Sequence, residues 1–286
     1  MKTMEFKGQD GLAVKTVLSL HGFSRHEISR LKFTKAGIMV NGIERRVDYV
    51  MAKGDVLRIT FVDPSRAYGE SHIVPKVLYE DEDVIVVHKD AGVVAHQSHG
   101  HMDDDMVTAL NMRDPSFVYR PIGRLDKDVS GIMMYAKNTP AAARLNQQRI
   151  DGVLKKTYLA IVSPVMDKPQ GTLRFFLAKQ QGVKARSVGE EGKSCVTHYF
   201  VRESNGVSSL LEVWIETGRT HQIRAGFAYE GHPLEGDALY GGNVARIFRP
   251  ALHCASIRFL LPFVQKEIRL ECPMPDDMTF LLHSGC

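Results

Sequence analysis

Cysteine is scarce in this sequence, and the cysteines lie far apart. The 286 residues include 4 cysteines, none in a CxxC pair, so neither a zinc ribbon nor a secreted disulfide framework is expected. No run of about 20 apolar residues occurs, and a membrane-spanning helix is therefore not predicted. The first residues have no apolar stretch behind their charges and do not resemble a signal peptide. These absences favour a soluble protein of the reducing cytoplasm.

The motifs of several common enzyme classes are also missing. The sequence contains no GxGxxG fingerprint of dinucleotide binding and no GxxxxGK[ST] phosphate loop. It also lacks the GxSxG elbow that carries the nucleophile of many serine hydrolases. These absences argue against nucleotide-driven enzymes and against the common hydrolases.

What the chain does have is an uneven distribution of charge. Its formal net charge is +4. Residues 1–62 hold 11 basic and 6 acidic residues, an excess of +5, whereas the rest of the chain holds 26 basic and 27 acidic residues, which leaves −1. A basic segment of this kind is typical of a module that meets a polyanion such as nucleic acid, although a solvated surface that happens to be basic would look the same.

The basic segment has the pattern of a small folded unit. Ser24 stands where a helix N-cap would be, and residues 38–40 and 56–61 predict two short strands. The Asn-Gly pair at 41–42 predicts a tight turn. Around the predicted helix lie four basic residues that we take as candidate nucleic-acid contacts: Arg25, Arg30, Lys32 and Lys35.

The rest of the chain alternates between strands and helices without an internal repeat. Apolar runs predict strands at 84–87, 132–136, 158–162 and 210–215. Regular helical crossovers are lacking between them, which favours an α+β fold with a mixed, largely antiparallel sheet. The predicted organisation is a small basic domain at 1–62, a linker at 63–76 and a larger catalytic domain at 77–286.

Two helix starts in the larger domain are predicted from their caps. Thr139 precedes Pro140, and proline is favoured in the first turn of a helix. Thr220 precedes Ile223 and Phe227, which would share one helical face. We expect each threonine to cap the helix that follows it.

A histidine-rich segment is the main candidate for a metal site. Residues 96–101 contain three histidines and residues 103–105 are aspartates, and both side-chain types bind transition metals. The segment has the composition of a polar loop and no helical i, i+4 pair of histidines. We therefore predict a solvated loop and no metal, with a metal-dependent hydrolase as a distant alternative.

Two charged segments carry the stronger functional signal. Residues 123–131 place Asp126 between two basic residues, just before an apolar strand; alone, this would indicate an exposed turn. Residues 216–224 combine two arginines, a histidine and a glutamine around a predicted helix N-terminus, where anions are favoured. An arginine of the second segment could reach Asp126 and hold it ionised.

Together these segments resemble the RluA-type family of pseudouridine synthases, which isomerise uridine to pseudouridine in structured RNA. The resemblance covers nearly all of residues 77–262. The basic segment 14–61 resembles the small RNA-binding module first seen in a small-subunit ribosomal protein. The matching motifs are Arg124-Leu125-Asp126 with Ser130-Gly131 for RLDxxTSG, residues 156–160 for KxYxA, residues 217–224 and 231–237 for TGRTHQIR…GHPIxGD, and Leu252-His253 for the start of LHA.

The resemblance and the chemistry of the reaction imply a role for each site residue. Asp126 would either attack the sugar C1′ or remove a sugar proton to give a glycal, and the sequence leaves both routes open. Arg224 would keep Asp126 ionised. Tyr158 would stack on the uracil near its C5 proton, unless it is only a strand tyrosine that covers the core. The expected substrate contacts are Arg124, which would fill the place of the flipped-out uridine, with Arg219, His221 and Gln222.

The reaction is redox-neutral, so we predict that no nicotinamide, flavin or ATP cofactor is required. No metal is expected either. The expected partner is RNA, with large-subunit ribosomal RNA as the main class and transfer RNA as the next, and the expected state is a monomer. A catalytically silent RNA-binding protein on the same scaffold is the alternative. Intact Asp126, Tyr158 and Arg224 argue against it.

Two glycines depart from the family pattern. Gly123 stands where most members have histidine, and Gly226 stands where a histidine is common. Neither departure removes the predicted nucleophile, but both blur which RNA is the substrate.

Overall fold

The computed structural model of the protein describes residues 2–61, 69–96, 105–179, 185–264 and 266–283. The helices are α1 (Val14–Leu20), α2 (Arg25–Leu31), α3 (Met106–Arg113), α4 (Thr139–Ile150), α5 (Gln222–Tyr229) and α6 (Asp276–His283). The strands are β1 (Lys2–Lys7), β2 (Ile38–Val40), β3 (Ile43–Glu44), β4 (Val56–Phe61), β5 (Lys76–Glu80), β6 (Val84–Lys89), β7 (Arg120–Pro121), β8 (Ser130–Ala136), β9 (Lys155–Val162), β10 (Gln170–Lys179), β11 (Arg186–Gly189), β12 (Lys193–Ser204), β13 (Ser209–Ile215), β14 (Leu252–Leu260) and β15 (Glu267–Glu271).

The N-terminal unit is a four-stranded sheet in the order β1-β4-β2-β3, with its own apolar core. Ser24 caps α2 in a capping box: its hydroxyl accepts a hydrogen bond from the Glu27 N–H, and the Glu27 carboxylate accepts one from the Ser24 N–H. Asn41 and Gly42 both have left-handed φ angles, of 51° and 78°, as a tight turn between β2 and β3 requires. The strand β1, absent from the prediction, adds to the edge of β4.

The larger unit is built on an eleven-stranded sheet. Nine strands follow the order β11-β10-β12-β13-β9-β14-β8-β6-β5, and β15 and β7 pair with β14 and β8. Within the described residues, β14 and β8 form a parallel pair and the other named strand pairs are antiparallel. The predicted α+β class with a mixed, largely antiparallel sheet is confirmed. The antiparallel strands β10, β11 and β12 were not predicted.

Both predicted helix caps in the larger unit are wrong by one residue. Asn138 caps α4, because its side-chain oxygen accepts a hydrogen bond from the Ala141 N–H at 2.9 Å, and Thr139 is the first helical residue. The residue before α5 is His221, not Thr220, and its φ of 59° is left-handed. His221 therefore turns sharply into the helix instead of capping it with a side-chain hydrogen bond.

The N-terminal unit packs directly against the larger one. Arg144 of α4 donates hydrogen bonds to the Leu20 carbonyl at 3.0 Å and to the Pro262 carbonyl at 2.9 Å. Its guanidinium lies 5.1 Å from the ring centre of Phe263, and that ring also contacts Phe6 of β1 edge-on. The two units are thus joined by a set of side-chain contacts in addition to the chain itself.

The predicted division at 63–76 stays a prediction. Residues 62–68 lie outside the described residues, and β5 begins at Lys76, one residue before the predicted start of the larger domain. Across the described parts of the chain, no helix is long and apolar enough to cross a membrane.

Candidate active site

One cleft of about 860 Å³ gathers the predicted site residues of the larger unit. It lies between the loop before β8, the strand β9 and the loop that joins β13 to α5. All seven residues predicted to act in catalysis or substrate binding line it: Arg124, Asp126, Tyr158, Arg219, His221, Gln222 and Arg224. Its volume is at the upper end of the range of roughly 300–1,000 Å³ that ligand pockets span.

Asp126 sits in a loop that is fixed on both sides. Leu125 and Val129 are buried in the core, so the acid between them is held at the wall of the cleft. The next carbonyl, of Lys127, accepts hydrogen bonds from the Gly92 N–H and from the buried Lys89 amine, both at 2.9 Å. The loop therefore carries its carboxylate on a tethered backbone.

Lys89 is the centre of this tether. Its amine is fully buried and donates to the carbonyls of Asp90, Val93 and Lys127 at 2.8–3.0 Å. Burial lowers the pKa of Lys89 to about 8, although nearby carboxylates, including Asp126, oppose the shift. The buried amine thus joins the loop after β6, which contains Asp90 and Val93, to the loop that carries Asp126.

The glycine after the loop is required by close packing. Gly131 has a φ of 114°, and a Cβ there would lie 2.3 Å from the carbonyl oxygen of Cys254 on the parallel strand β14. The neighbouring Ser130 hydroxyl lies 2.9 Å from Nδ1 of His253, also on β14. Residues of the Ser-Gly and Leu-His motifs are therefore packed together where β8 meets β14.

Arg224 connects Asp126 to a second, fully buried acid. Its Nη1 donates to Asp126 Oδ2 at 3.2 Å, while Nε and Nη2 donate to the two oxygens of Asp237 at 2.7 and 2.8 Å. Asp237 has no exposed surface, and the Arg224 side chain is only 8% exposed. A bidentate pair of this type fixes the plane of the guanidinium. The remaining nitrogen, Nη1, is then directed at Asp126.

His221 and Tyr240 complete the surroundings of Asp126. The His221 Nε2 lies 3.7 Å from Asp126 Oδ2, and its Nδ1 lies 3.0 Å from the Tyr240 hydroxyl. Burial lowers the pKa of His221, while Asp126 opposes this effect. The Tyr240 ring packs under the Arg224 guanidinium at 5.4 Å.

Tyr158 lines the cleft from strand β9 and is only 6% exposed. Burial raises the pKa of Tyr158 well above its usual value, and the nearby Cys254 and Asp126 raise it further. The hydroxyl is therefore protonated at neutral pH. The side chain offers a ring face and a neutral hydroxyl, not a phenolate.

The other predicted substrate residues differ in how free they are. Arg124 is half exposed, and its Nη2 lies 4.0 Å from Asp126 Oδ1. Arg219 is exposed at the cleft. Gln222 is buried, and its amide is occupied: the oxygen accepts from the Thr217 hydroxyl and the Arg219 N–H, and the nitrogen donates to the Val196 carbonyl. Gln222 thus holds the loop that carries Arg219.

The two glycine departures have different physical consequences. Gly226 faces Phe175, and a Cβ there would lie 2.6 Å from the phenylalanine ring, so the aromatic side chain fills the space on α5. Gly123 has a φ of 74°, with Arg149 and Lys156 as its nearest side chains at 4.0 Å. The Lys156 amine is buried and has no hydrogen-bond partner within the described residues.

The four basic residues of the N-terminal unit lie outside this cleft. Arg25 and Arg30 are exposed on α2, and Lys32 and Lys35 are exposed in the turn that follows. The structure thus separates the predicted RNA contacts of the small unit from the residues around Asp126.

The histidine-rich segment falls largely outside the described residues, as His99, His101, Asp103 and Asp104 all do. Asp105 is described: it is buried and caps α3 by accepting hydrogen bonds from the Val107 and Thr108 N–H groups. Within the described ranges no group of three or more potential metal ligands occurs.

Three structural residues of the site were missed from the sequence. Asp237 was part of a matched motif but had no assigned role, and its Gly-Asp pair was the available signal. Tyr240 carried no signal of its own, because its contacts are with residues elsewhere in the chain. Lys89 lies where the family commonly has Asn-Lys-Pro, but its bond to the Asp126 loop was not predicted.

Comparison with known proteins gives a consistent answer. The family model for RNA pseudouridylate synthase matches residues 83–229. The chain is 33% identical over 280 residues to "Uncharacterized RNA pseudouridine synthase YjbO" of Bacillus subtilis (strain 168), covering 95% of this chain and 98% of that protein. It is 34% identical over 280 residues to "Ribosomal large subunit pseudouridine synthase D" of Xylella fastidiosa (strain Temecula1 / ATCC 700964), covering 90% of this chain and 84% of that protein.

A solved structure shares the fold. "Human RNA Pseudouridylate Synthase Domain Containing 1" superposes with a TM-score of 0.59 at 24% identity, covering 74% of this chain and 86% of that chain. With the sequence matches, the conclusion is that the chain belongs to the RNA pseudouridine synthase family and is an isomerase that converts uridine in RNA to pseudouridine.

Proposed function

We propose that the protein modifies uridine in large-subunit ribosomal RNA and that Asp126 starts the reaction. The observation that carries the catalytic part is the placement of the Asp126 carboxylate: it lines the cleft, is 14% exposed and accepts a hydrogen bond from Arg224. The name of the Xylella relative supports ribosomal RNA as the substrate. Docking of the RNA on the exposed basic residues of α2 is part of the same proposal.

The reaction can be assigned to the chain's own residues. Asp126 would open the N1–C1′ bond, either by attack on C1′ or by removal of a sugar proton, and the bonding electrons would leave on uracil. Arg224, fixed by Asp237, holds the carboxylate in place through a hydrogen bond. Every group in this scheme belongs to the protein or the RNA, so no cofactor or metal is part of the proposal.

Tyr158 would hold the detached uracil while C5 turns toward the sugar. Because its hydroxyl is protonated, it can take the C5 proton only if it passes its own proton on in the same step. Arg124 would occupy the place that the flipped uridine leaves, and Arg219 would contact the RNA backbone. Gln222 would act by positioning the Arg219 loop. The monomeric state and the cytoplasmic location stay predictions.

The direct test is Asp126→Asn, compared with Asp128→Asn as a matched control. Asp128 is an exposed acid two residues away. Tritium release from RNA labelled at uridine C5 should fall by roughly 100-fold or more, since a general base contributes about 100–10,000-fold to the rate. The Asp128 variant should stay near wild type. Turnover retained in Asp126→Asn would overturn the assignment.

The substrate is tested separately by mapping pseudouridine in cells with and without the gene. Loss of one or more sites in large-subunit ribosomal RNA is the expected result. Losses confined to transfer RNA would overturn the ribosomal assignment and leave the role of Asp126 untouched.

A further inference from the structure

One face of the large sheet carries exposed aromatic side chains next to the cleft. Trp214 on β13 is the only tryptophan of the chain, and it is 41% exposed. Phe200 on β12 is 42% exposed, and it lies two pairs along the ladder from Trp214, on the same face of the sheet. Large apolar side chains left in water at a functional cleft indicate a surface that something else covers.

Trp214 belongs to the catalytic cleft. It lines the same cleft as Asp126, Tyr158 and Arg219. The strand that carries it ends at Ile215 and continues directly into the loop that holds Arg219. A group bound on Trp214 would therefore lie in a cleft that accepts RNA.

The ring is backed by a rigid partner. His198, directly opposite on β12, stacks on Trp214 with ring centres 5.2 Å apart and planes at 15°. Both histidine nitrogens are engaged: Nδ1 lies 2.8 Å from the Thr172 hydroxyl, and Nε2 lies 2.8 Å from Glu216 Oε1. The indole is thus held in one orientation before any ligand arrives, which lowers the entropy cost of stacking.

The opposite face of these strands is already covered. Tyr199 and Val213, which alternate with the exposed aromatics, are buried, and the Tyr199 ring packs edge-on against Phe227 of α5. The exposed aromatics are therefore not needed to anchor α5. Their availability needs a different explanation.

The charges beside Trp214 favour a base over a phosphate. Glu216 Oε1 lies 2.8 Å from His198 Nε2, and Glu212 is paired with Arg202, so these two acidic residues leave no excess of positive charge beside Trp214. A phosphate would find little attraction there. The face of an unpaired base, by contrast, stacks on an aromatic ring with a free energy of about 1–3 kcal/mol.

We propose that Trp214, supported by His198, is a stacking platform for an unpaired base of the substrate RNA next to the target uridine. Phe200 extends the platform along β12. The proposal depends on RNA being the substrate of this family; it depends neither on the role of Asp126 nor on which RNA is modified.

The test uses the single tryptophan as its own reporter. A short oligouridine is added to the Asp126→Asn variant, and binding is followed in parallel by the anisotropy of labelled RNA. Trp214 fluorescence should be quenched along the same binding curve. An abasic oligomer with the same number of phosphates should bind without the same quenching. Full binding of oligouridine with unchanged fluorescence would overturn the proposal.

Variants then separate stacking from structure. Trp214→Ala should raise the Kd for oligouridine about tenfold and leave the Kd for the abasic oligomer unchanged, while Trp214→Phe should retain most of the affinity. Tyr229→Ala is the matched control, because Tyr229 is an exposed aromatic on α5, at the covered face. Equal losses in the Ala and Phe variants, or an equal loss for the abasic oligomer, would overturn the platform; thermal unfolding checks that each variant is folded.

Discussion

The two units of the protein use their charges in opposite ways. In the N-terminal unit the basic side chains of α2 are exposed to solvent. The ion pair between Arg58 and Glu5 in the same unit has both partners more than half exposed. In the larger unit Arg224 and Asp237 are paired away from water. Exposed charges attract a polyanion over a distance that depends on salt, whereas buried pairs fix geometry. Affinity for RNA and the chemistry performed on it are therefore open to separate tests.

The strongest way to break this contrast is to remove the buried acid. Asp237→Ala leaves the Arg224 guanidinium without its partner, and losing one member of a buried pair typically costs about 3–5 kcal/mol of unfolding free energy. Arg224 would also lose the orientation that holds Asp126, so kcat should fall roughly 100-fold with little change in KM. Chemical denaturation and tritium release measure the two effects. An active Asp237→Ala enzyme of normal stability would contradict the role given to this pair.

Acid should lower the stability of the sheet of the larger unit more than that of the contact between the units around Arg144. Burial lowers the pKa of His253 from 6.5 to about 4, so as pH falls through this window the unfolded chain takes up a proton that the folded chain refuses. The unfolding free energy should drop by roughly 3 kcal/mol from this residue, present above pH 6.5 and lost toward pH 4.

His21 provides the comparison in the smaller unit. Burial lowers the pKa of His21 to about 4 as well, with the Arg144 charge as the second cause, but the side chain is only partly buried, so water reduces its effect. His253→Gln should therefore flatten the pH dependence of denaturation more than His21→Gln. The reverse order would show that the contact between the units, and not the large sheet, is the acid-sensitive part of the protein.

Removing one oxygen from Tyr158 should have an intermediate effect. Tyr158→Phe keeps the ring and loses the neutral hydroxyl, so kcat should fall about tenfold, below the 100–10,000-fold of a full general base. Single-turnover rates separate this change from binding. An unchanged rate would limit Tyr158 to packing against the uracil.

The smallest effect on turnover should come from the N-terminal unit. Replacing Arg25, Arg30, Lys32 and Lys35 together by glutamine should raise KM several-fold and leave kcat unchanged. If each residue contacts one phosphate, the slope of log affinity against log salt should fall by roughly 3, since each contact contributes about 0.7–0.9. A changed kcat with an unchanged slope would reverse the division of labour between the units.

The fold class and the site were predictable from sequence for different reasons. The strands β6 and β8 are continuous apolar runs, which stand out in any sequence. A contact between Asp126 and an arginine of residues 216–224 was predicted because both lie in unusual charged segments, and the family resemblance pointed to Arg224. The antiparallel pair β10 and β12 was missed, because Phe176 and Phe200 are exposed there and blur the alternation of apolar and polar residues.

Other details depend on contacts that only the folded chain provides. Asn138 and Thr139 are both suitable caps, and the sequence does not distinguish neighbours by one residue. The left-handed turn at His221 is supported by tertiary contacts, including its hydrogen bond with Tyr240, and a left-handed φ is uncommon for any residue other than glycine. Gln222 has the side chain of a substrate contact, yet its amide is taken up by the loop around it.

The contact that Arg144 makes between the two units has a consequence for which RNAs can be modified. The hydrogen bonds of Arg144 to Leu20 and Pro262 hold the N-terminal unit against the larger one, so we expect the separation between α2 and Asp126 to change little when RNA binds. An RNA that touches both must offer its backbone and its target uridine at that same separation. We therefore expect the protein to select an RNA by the distance between its docked backbone and its target uridine, whatever the bases between these two points.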